Sequence, residues 1–452
     1  MIEPAINPAL SRRYDVRGIY PTEVNAQVLE SIGRAFAAVI KPKTVAVGMD
    51  VRTSGPELKA GLIEGLRKSG VDVVDVGLLS TDMLYFAVAN YGYDGGVIVS
   101  ASHNPAEYNG IKPIKKNAEV LHPDGEFMEL KRLAQQNQFT DAPTYGNLSE
   151  RNILDDYIKK CLSFVDQSKL KPLRIVVNPN FGAVCPLYKK IQESVPFEAI
   201  PLNGEVDGTF PKGRPDPLRP ETRSETEAVI KKEKPDFGVA WDADGDRVFF
   251  YDENGEFVDG YYVLGMMSEY FLNKYPGDKI LHEPRQIWAV DDKIATMGGK
   301  NLLCRAGHIF LKAEMRRLDC VFGGEMSGHM YFRDFWYCDN GLIPFLIMWQ
   351  MISEGKKLSE MAKQYREKYF ISGEINFTVP DIKQALEAVE KTMHGSYRKE
   401  YEDLELGENH QWRANVRPSD NEPLLRLNVE ATSQELVDQK VKEISAVIAE
   451  AR

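Results

Sequence analysis

One order of residues recurs three times along the chain: a short apolar, β-branched run, a turn, a stretch with helical spacing, and a second β-branched run. Thr44 to Gly48 (TVAVG) is followed by a turn around Asp50–Gly55, helical spacing from Glu57 to Lys68, and a strand-like run from Val71 to Val76. Leu173–Val177 opens a second copy, with a turn at Asn178–Ala183 and a helix near Pro186–Glu193. Lys279–His282 opens a third, with a helix near Ala289–Met297 and a strand near Leu302. Parallel strands need a crossover of this kind, so the pattern confines these regions to α/β units on mostly parallel sheets. Separations of roughly 100–130 residues predict three tandem domains of related build.

The C-terminal stretch follows another rule. Ile371–Val379 and Trp412–Val416 read as strands, and Ile382–Lys391 and Gln434–Ala451 as amphipathic helices, which predicts a smaller α+β domain. Polar stretches near Thr140–Ser149, Asp252–Glu256 and Tyr365–Tyr369 suggest seams, giving expected domains at 1–146, 147–252, 253–367 and 368–452. A chain of 452 residues can bury several such cores.

Charge narrows the function classes. With 56 basic and 67 acidic side chains the net charge is −11, unlike the basic face of a nucleic-acid or membrane-surface binder. Met1–Tyr20 holds no apolar run of signal-peptide length, and Leu342–Ile352 is too short to span a bilayer, so it is expected as a core helix. The cysteines at 161, 185, 304, 320 and 338 form no C-x-x-C pair, so reduced thiols are expected, with neither disulfides nor zinc. A cytoplasmic chain with no nucleic-acid or membrane partner, monomeric or homodimeric, is the expectation.

Four segments carry chemistry. In VIVSASHNPAEYNGIKP (97–113) a strand at Val97–Ser100 runs into a polar turn that displays Ser102 and His103 at the strand's C-terminal end, where α/β sheets place ligands. A serine there can carry phosphate or act as nucleophile beside a histidine; the segment is equally an Asn-Pro turn with incidental polar residues. In DFGVAWDADGDRVFF (236–250), Asp242, Asp244 and Asp246 alternate through a glycine turn, a spacing that lets three hard oxygens converge on Mg²⁺ or Ca²⁺. An EF-hand loop would need glycine where Arg247 stands and a helix where Phe237–Trp241 reads as strand. A solvated acidic hairpin is the other alternative, against which Arg247 argues by implying an anionic partner. In FGGEMSGHMY (322–331), Glu325, Ser327 and His329 alternate, so an extended loop would project them to one side, where carboxylate and hydroxyl suit a sugar's hydroxyl pairs. In VRPSDNEPLLRL (416–427), Arg417, Ser419, Asn421 and the turn's N–H groups form a candidate phosphate nest, or else a polar turn between strands.

Together, and in this order from Tyr14-Asp15-Val16-Arg17-Gly18 to Arg417, these segments resemble the α-D-phosphohexomutase superfamily, in its phosphomannomutase/phosphoglucomutase branch. The resemblance implies three tandem related α/β domains with mixed sheets plus a smaller C-terminal α+β domain, around a central cleft. It implies an isomerase that interconverts hexose 6-phosphate and hexose 1-phosphate, of mannose or glucose, through a phosphoserine and a hexose 1,6-bisphosphate. By the same resemblance Ser102 is the phosphoserine and, through its phosphate, a Mg²⁺ ligand with Asp242, Asp244 and Asp246. His103 and Arg247 contact that phosphate, and Lys112 and Arg17 are the acid/base and charge-stabilising groups. Tyr14, Gly307, His308, Glu325, Ser327 and His329 line the sugar site, and Arg417, Ser419, Asn421 and Arg426 bind the distal phosphate. Two departures stand out. Arg305-Ala306 replaces the family's Lys-Thr before Gly307-His308, and Ser419-Asp420-Asn421-Glu422-Pro423 replaces Ser-Asn-Thr-Glu-Pro, bringing a carboxylate to a phosphate loop. The alternatives are a phosphoglucosamine mutase, a metal-dependent sugar phosphatase, and a catalytically silent sugar-phosphate-binding protein.

Overall fold

The computed structural model describes residues 7–10, 15–393, 395, 397–398, 403–408, 410–419 and 424–451. Its contacts divide into two compact units, Met1–Val258 with Lys312–Asp319 and Ser327–Ser359, and Asp259–Leu311 with Cys320–Met326 and Glu360–Arg452.

The first unit holds a six-stranded sheet in the order Val16–Ile19, Tyr108–Lys115, Gly95–Val99, Thr44–Met49, Asp72–Leu78, Leu148–Glu150. Thr44–Met49 runs parallel to both Asp72–Leu78 and Gly95–Val99, as the strand–helix–strand order requires. Tyr108–Lys115 returns antiparallel to Gly95–Val99 and pairs Lys112 with Ile98, which makes the sheet mixed and leaves the 100–107 loop at the strand's C-terminal end. Helices Ala26–Ile40 and Gly55–Lys68 cross tightly over a core that includes Leu29, Ile32, Phe36, Leu58, Leu62 and Leu66. A Cβ at Gly65 would lie 2.1 Å from the Glu30 carbonyl, so the crossing itself demands glycine there.

A five-stranded mixed sheet follows, ordered Phe257–Val258, Val248–Tyr251, Phe237–Trp241, Arg174–Asn178, Glu198–Pro201. Two strands cross the expected seams. Leu148–Glu150 pairs with Asp72–Leu78, so the first sheet reaches past 146, and Phe257–Val258 pairs with Val248–Tyr251, so the second reaches past 252. Both are short terminal ladders whose polar or brief sequences carry no alternating signal. The apolar segment expected as a core helix is one: every residue of Leu342–Ser353 is buried. Its start is fixed by Asn340, whose Oδ1 accepts the N–H groups of Leu342 (2.8 Å) and Ile343 (2.7 Å).

In the second unit Lys279–His282 runs parallel to Lys300–Leu303 and Phe322–Gly324, with helices Gly260–Lys274 and Trp288–Thr296. The C-terminal region is an antiparallel sheet, ordered Phe370–Thr378, Leu424–Ala431, Trp412–Pro418, Leu404–Glu408, Tyr397–Arg398, with helices Ile382–Thr392 and Gln434–Glu450. The α/β units and the smaller α+β domain are as expected. Among the described residues no helix is long and apolar enough to cross a membrane.

Candidate active site

Gly95–Val99 ends at Ser100, and the chain turns so sharply that Ser102 takes a left-handed φ of +50°, a conformation rare for a residue with a side chain. The turn is held locally, since the Ser100 hydroxyl accepts the Ser102 N–H at 2.9 Å. Ser102 Oγ lies 3.1 Å from Asp242 Oδ2 and 3.1 Å from His103 Nδ1. Burial, followed by the charges of Arg247, Arg17, Arg214 and Lys112, holds His103 well below the usual imidazole range, so its ring is neutral beside the serine.

The facing carboxylates come from the turn between the antiparallel strands Phe237–Trp241 and Val248–Tyr251. Gly245 sits at φ +74° with its α-hydrogen against Val184, where a Cβ would come within 2.6 Å of Cγ2. Asp242, Asp244 and Asp246 are at most 1% exposed, and one oxygen of each lies within 4.8 Å of the others. Three buried negative charges require compensation. Lys112 Nζ supplies part of it, 2.6 Å from both Asp244 Oδ2 and Asp246 Oδ2, and Arg247 Nε donates to Asp242 Oδ2 at 2.8 Å. Thr81 donates its hydroxyl to Asp244 Oδ2 at 2.6 Å.

The compensation is uneven. Burial pushes Asp242 up to about 7, reinforced by Asp244 and Asp246. Asp244 is pushed up by burial too, but the charge and hydrogen bond of Lys112 outweigh this and hold it well below the carboxylate range. In Lys112, likewise, burial pulls downward and the two carboxylates prevail, holding the ammonium well above its usual value. Asp244 Oδ1 and Asp246 Oδ1 remain buried without a hydrogen-bond partner, and both belong to the converging triad. Three hard oxygens with spare lone pairs fit a small divalent cation.

His329 Nδ1 lies 2.8 Å from Asp339 Oδ2 and 3.9 Å from Asp246 Oδ1. Asp339 is itself fixed by Lys312 Nζ at 3.0 Å, which also reaches the Tyr85 hydroxyl at 2.9 Å. Arg17 donates to Asn104 Oδ1 at 2.9 Å, which ties the N-terminal strand to the serine loop. Ser102, His103, Lys112, Arg17, Arg247, the three aspartates and His329 are all in the first unit.

The second unit carries a separate cluster built on Glu374. A register slip between Ile371 and Glu374 bulges the strand Phe370–Thr378. Glu374 lies 3.1 Å from Arg285 Nη1, 3.1 Å from Arg417 Nη2 and 3.2 Å from Arg426 Nη1. Although burial alone would raise it, Arg285, Arg417 and Arg426 bring Glu374 down to about 2. Arg285 also pairs with Glu283, 2.5 Å away, and lies 3.7 Å from Glu325, which accepts the Gly307 N–H at 2.9 Å. Glu325 and His329, expected on one side of an extended loop, therefore have different partners. Arg305 stacks over Phe310, 4.6 Å from the ring centre, and His308 opens the helix His308–Leu318. Ser419 lies at the end of Trp412–Pro418, donating its N–H to the Leu424 carbonyl at 2.8 Å. Tyr14, Asp420 and Asn421 lie outside the described residues.

Residues 9–140, 155–255, 259–369 and 374–447 match, in turn, phosphoglucomutase/phosphomannomutase alpha/beta/alpha domain I, domain II, domain III and the C-terminal domain. The chain belongs to the phosphoglucomutase/phosphomannomutase family. A phosphomannomutase of Vibrio cholerae is 39% identical over 456 residues, covering 97% of each chain. The phosphohexose mutases of Xanthomonas campestris are 40% identical over 442 residues, covering 97% of this chain and 98% of theirs. Among solved structures, a phosphoglucomutase/phosphomannomutase family protein of Burkholderia thailandensis superposes with a TM-score of 0.88 at 27% identity, covering 98% and 97% of the two chains. Like other phosphoglucomutase/phosphomannomutase enzymes, the chain is an isomerase acting on sugar phosphates, a hexose-phosphate mutase.

Several residues of the two clusters had no signal of their own in the sequence. Thr81 and Asp339 come from helix and strand ends far from the aspartate loop, and Arg285 and Glu374 are 89 residues apart. The Asp339-Asn340-Gly341 break before an apolar helix was the only available cue, and it reads first as a helix start.

Proposed function

We propose that Ser102 carries the phosphoryl group exchanged with hexose phosphates, mannose or glucose, through a 1,6-bisphosphate intermediate. The observation that carries this is the strained Ser102, with Oγ 3.1 Å from Asp242 in a buried cluster of three carboxylates, an ammonium and a guanidinium. A metal-free phosphate would be repelled by that triad, so Asp242, Asp244, Asp246 and the Ser102 phosphate would hold Mg²⁺, which neutralises charge on the reacting phosphoryl oxygens. Phosphoryl transfer spreads negative charge over equatorial oxygens, and Arg247, Arg17 and Lys112 supply fixed positive charge for it. Neutral His103 hydrogen-bonds the Ser102 oxygen. The acid/base role is assigned to His329, oriented by Asp339 as carboxylates orient catalytic imidazoles, with Lys112 beside Asp244 and Asp246 as the second candidate. His329 takes the proton of the sugar hydroxyl as its oxygen attacks the phosphoserine phosphorus and the P–Oγ bond breaks, its electron pair leaving on Ser102 Oγ beside the cationic Arg247 and Lys112, and the same oxygen attacks in the return transfer. His329 returns a proton to the sugar oxygen when the intermediate's other phosphate goes back to Ser102.

The substrate's remaining phosphate is assigned to Arg417 and Arg426, with Ser419 and Asn421. Glu325, Ser327, Gly307, His308 and Tyr14 are assigned to the sugar. The relatives named phosphomannomutase and phosphohexose mutases support mannose and glucose as the sugars. We place domain seams near 146, 252 and 367 in sequence, adjusted for the terminal strands of the first two sheets. A small-molecule phosphosugar is the only partner class we propose, for a monomer or homodimer in the cytoplasm. Coupled assays with mannose 1-phosphate, glucose 1-phosphate and glucosamine 1-phosphate, each with trace bisphosphate, test the reading. Isomerisation of the first two is expected. Preference for glucosamine 1-phosphate, or phosphate release without isomerised sugar, would contradict it.

A further inference from the structure

The serine loop is gripped from behind by an arginine that neither the chemistry nor the sugar contacts invoke. Arg52 is 1% exposed and lies in the turn after the strand Thr44–Met49. Its Nη1 donates to the carbonyls of Pro105 (2.6 Å) and Tyr108 (2.9 Å), and its Nη2 to those of Ser102 (2.6 Å) and Asn104 (2.7 Å). Both terminal nitrogens thus spend both their N–H groups on one loop. The guanidinium is fixed in turn by Asp50, whose Oδ2 is 3.3 Å from Nε and whose Oδ1 accepts the Arg52 N–H at 3.0 Å. Phe210 closes the other side, with its ring centre 5.1 Å from Cζ. Between two of these, the His103 carbonyl accepts from Arg214 Nε at 3.0 Å.

Such a grip has two consequences. It holds a left-handed serine in a loop that would otherwise relax. It also orients peptide dipoles. In a trans peptide the N–H points opposite the C=O, so drawing the Ser102 and Pro105 oxygens onto Arg52 turns the N–H groups of His103 and Ala106 away from it. Backbone N–H groups freed in this way are the usual partners of a phosphate.

We propose that Arg52 is a positioning residue for phosphoryl transfer, gathering four carbonyls of the 102–108 loop so that Ser102 Oγ is held toward the carboxylate cluster and carbonyl oxygens face away from the transferred group. This rests on the reading of Ser102 as the phosphoryl carrier. Arginine is required because only a planar fork reaches four acceptors at once; a lysine ammonium has three hydrogens in a tetrahedral spread.

The test compares wild type, Arg52→Lys, Arg52→Ala and Ser102→Ala. Intact mass after incubation with glucose 1,6-bisphosphate comes first. Wild type without a phosphate adduct on Ser102 overturns the carrier reading, and the positioning role with it. With the adduct present, Arg52→Lys is expected to fold, keep KM within about threefold, and lose about 100-fold in kcat, the scale on which small misplacements act. Transfer from isolated phosphoenzyme to hexose phosphate should slow by the same factor. Arg52→Ala should lose more and recover at least tenfold in millimolar guanidinium. Arg52→Lys turnover within threefold of wild type overturns the proposal, as does a loss confined to KM. An Arg52→Lys chain that no longer folds overturns it as well, because the arginine is then a determinant of the fold and not of the loop's aim.

Discussion

Glu374→Gln is the substitution whose effect can be worked furthest from the structure. Glu374 is 15% exposed, with three guanidinium groups at 3.1–3.2 Å, which bring its carboxyl from the ordinary glutamate value of 4.5 down to about 2. That difference corresponds to about 3 kcal/mol of stability. The sign follows from linkage: a depressed carboxylate contributes fully above its unfolded value near 4.5, and the contribution is lost as pH falls from there toward 2. The glutamine keeps the shape and removes the charge, so the variant should be about 3 kcal/mol less stable at pH 7.5 by urea unfolding followed at tryptophan. The gap should close progressively below pH 4.5, as wild type loses the same contribution. With Glu374 uncharged, Arg417 and Arg426 should also gain affinity for another anion, so inorganic phosphate should stabilise the variant more than wild type; saturation at 100 times Kd corresponds to about 2.7 kcal/mol. Equal stabilities at pH 7.5, or a gap that persists unchanged at pH 3, would refute the reasoning.

Chelation with EDTA should abolish isomerisation and Mg²⁺ should restore it, while Asp244→Asn should lower kcat by more than 100-fold at any Mg²⁺ concentration. Restoration of that variant to wild-type turnover by excess Mg²⁺ would contradict the triad. Trp349, fully buried with its ring 5.1 Å from Phe197 and its Nε1 bonded to the Lys171 carbonyl, should cost about 3–5 kcal/mol when replaced by alanine, read as a lowered urea midpoint with normal KM in the folded fraction. Burial pushes Asp82 up to about 7, so between about 4 and 7 folding takes up a proton there and stability falls as pH rises through that range. Asp82→Asn should therefore gain stability relative to wild type between pH 5 and pH 8, by at most about 4 kcal/mol. A difference that stays flat across that range would contradict the assignment.

The sequence disclosed what is local. Runs of β-branched residues separated by turns and helical spacing gave the α/β units, and the buried helix Leu342–Ser353 announced itself by composition alone. Ser102, the three aspartates and Arg247 were legible because each lies in a strand-to-turn segment where chemistry and geometry share consecutive residues. What stayed hidden depends on distant pairings. Asp339 matters because the fold sets it 2.8 Å from His329, and Glu374 because a bulge turns it among three arginines. Arg52 read only as part of a turn, since its four acceptors are backbone carbonyls, which no side-chain pattern reveals. Lys112 shows the limit for partners: its position in the Asn109-Gly110-Ile111-Lys112 segment suggested acid/base work, and only the fold reveals the Asp244 and Asp246 carboxylates it pairs with. Net charge misleads in the same way, because −11 sums the whole chain and says nothing of the buried clusters, where cations and carboxylates are paired.

The central claim is that one serine carries the phosphoryl group. Protein charged with glucose 1,6-bisphosphate labelled in phosphate, desalted, and digested should yield label on a single peptide containing Ser102, and adding unlabelled hexose 6-phosphate should move that label to sugar within one turnover. Label that fails to appear on Ser102 while isomerisation proceeds at full rate, or that persists there unchanged after substrate is added, would contradict it.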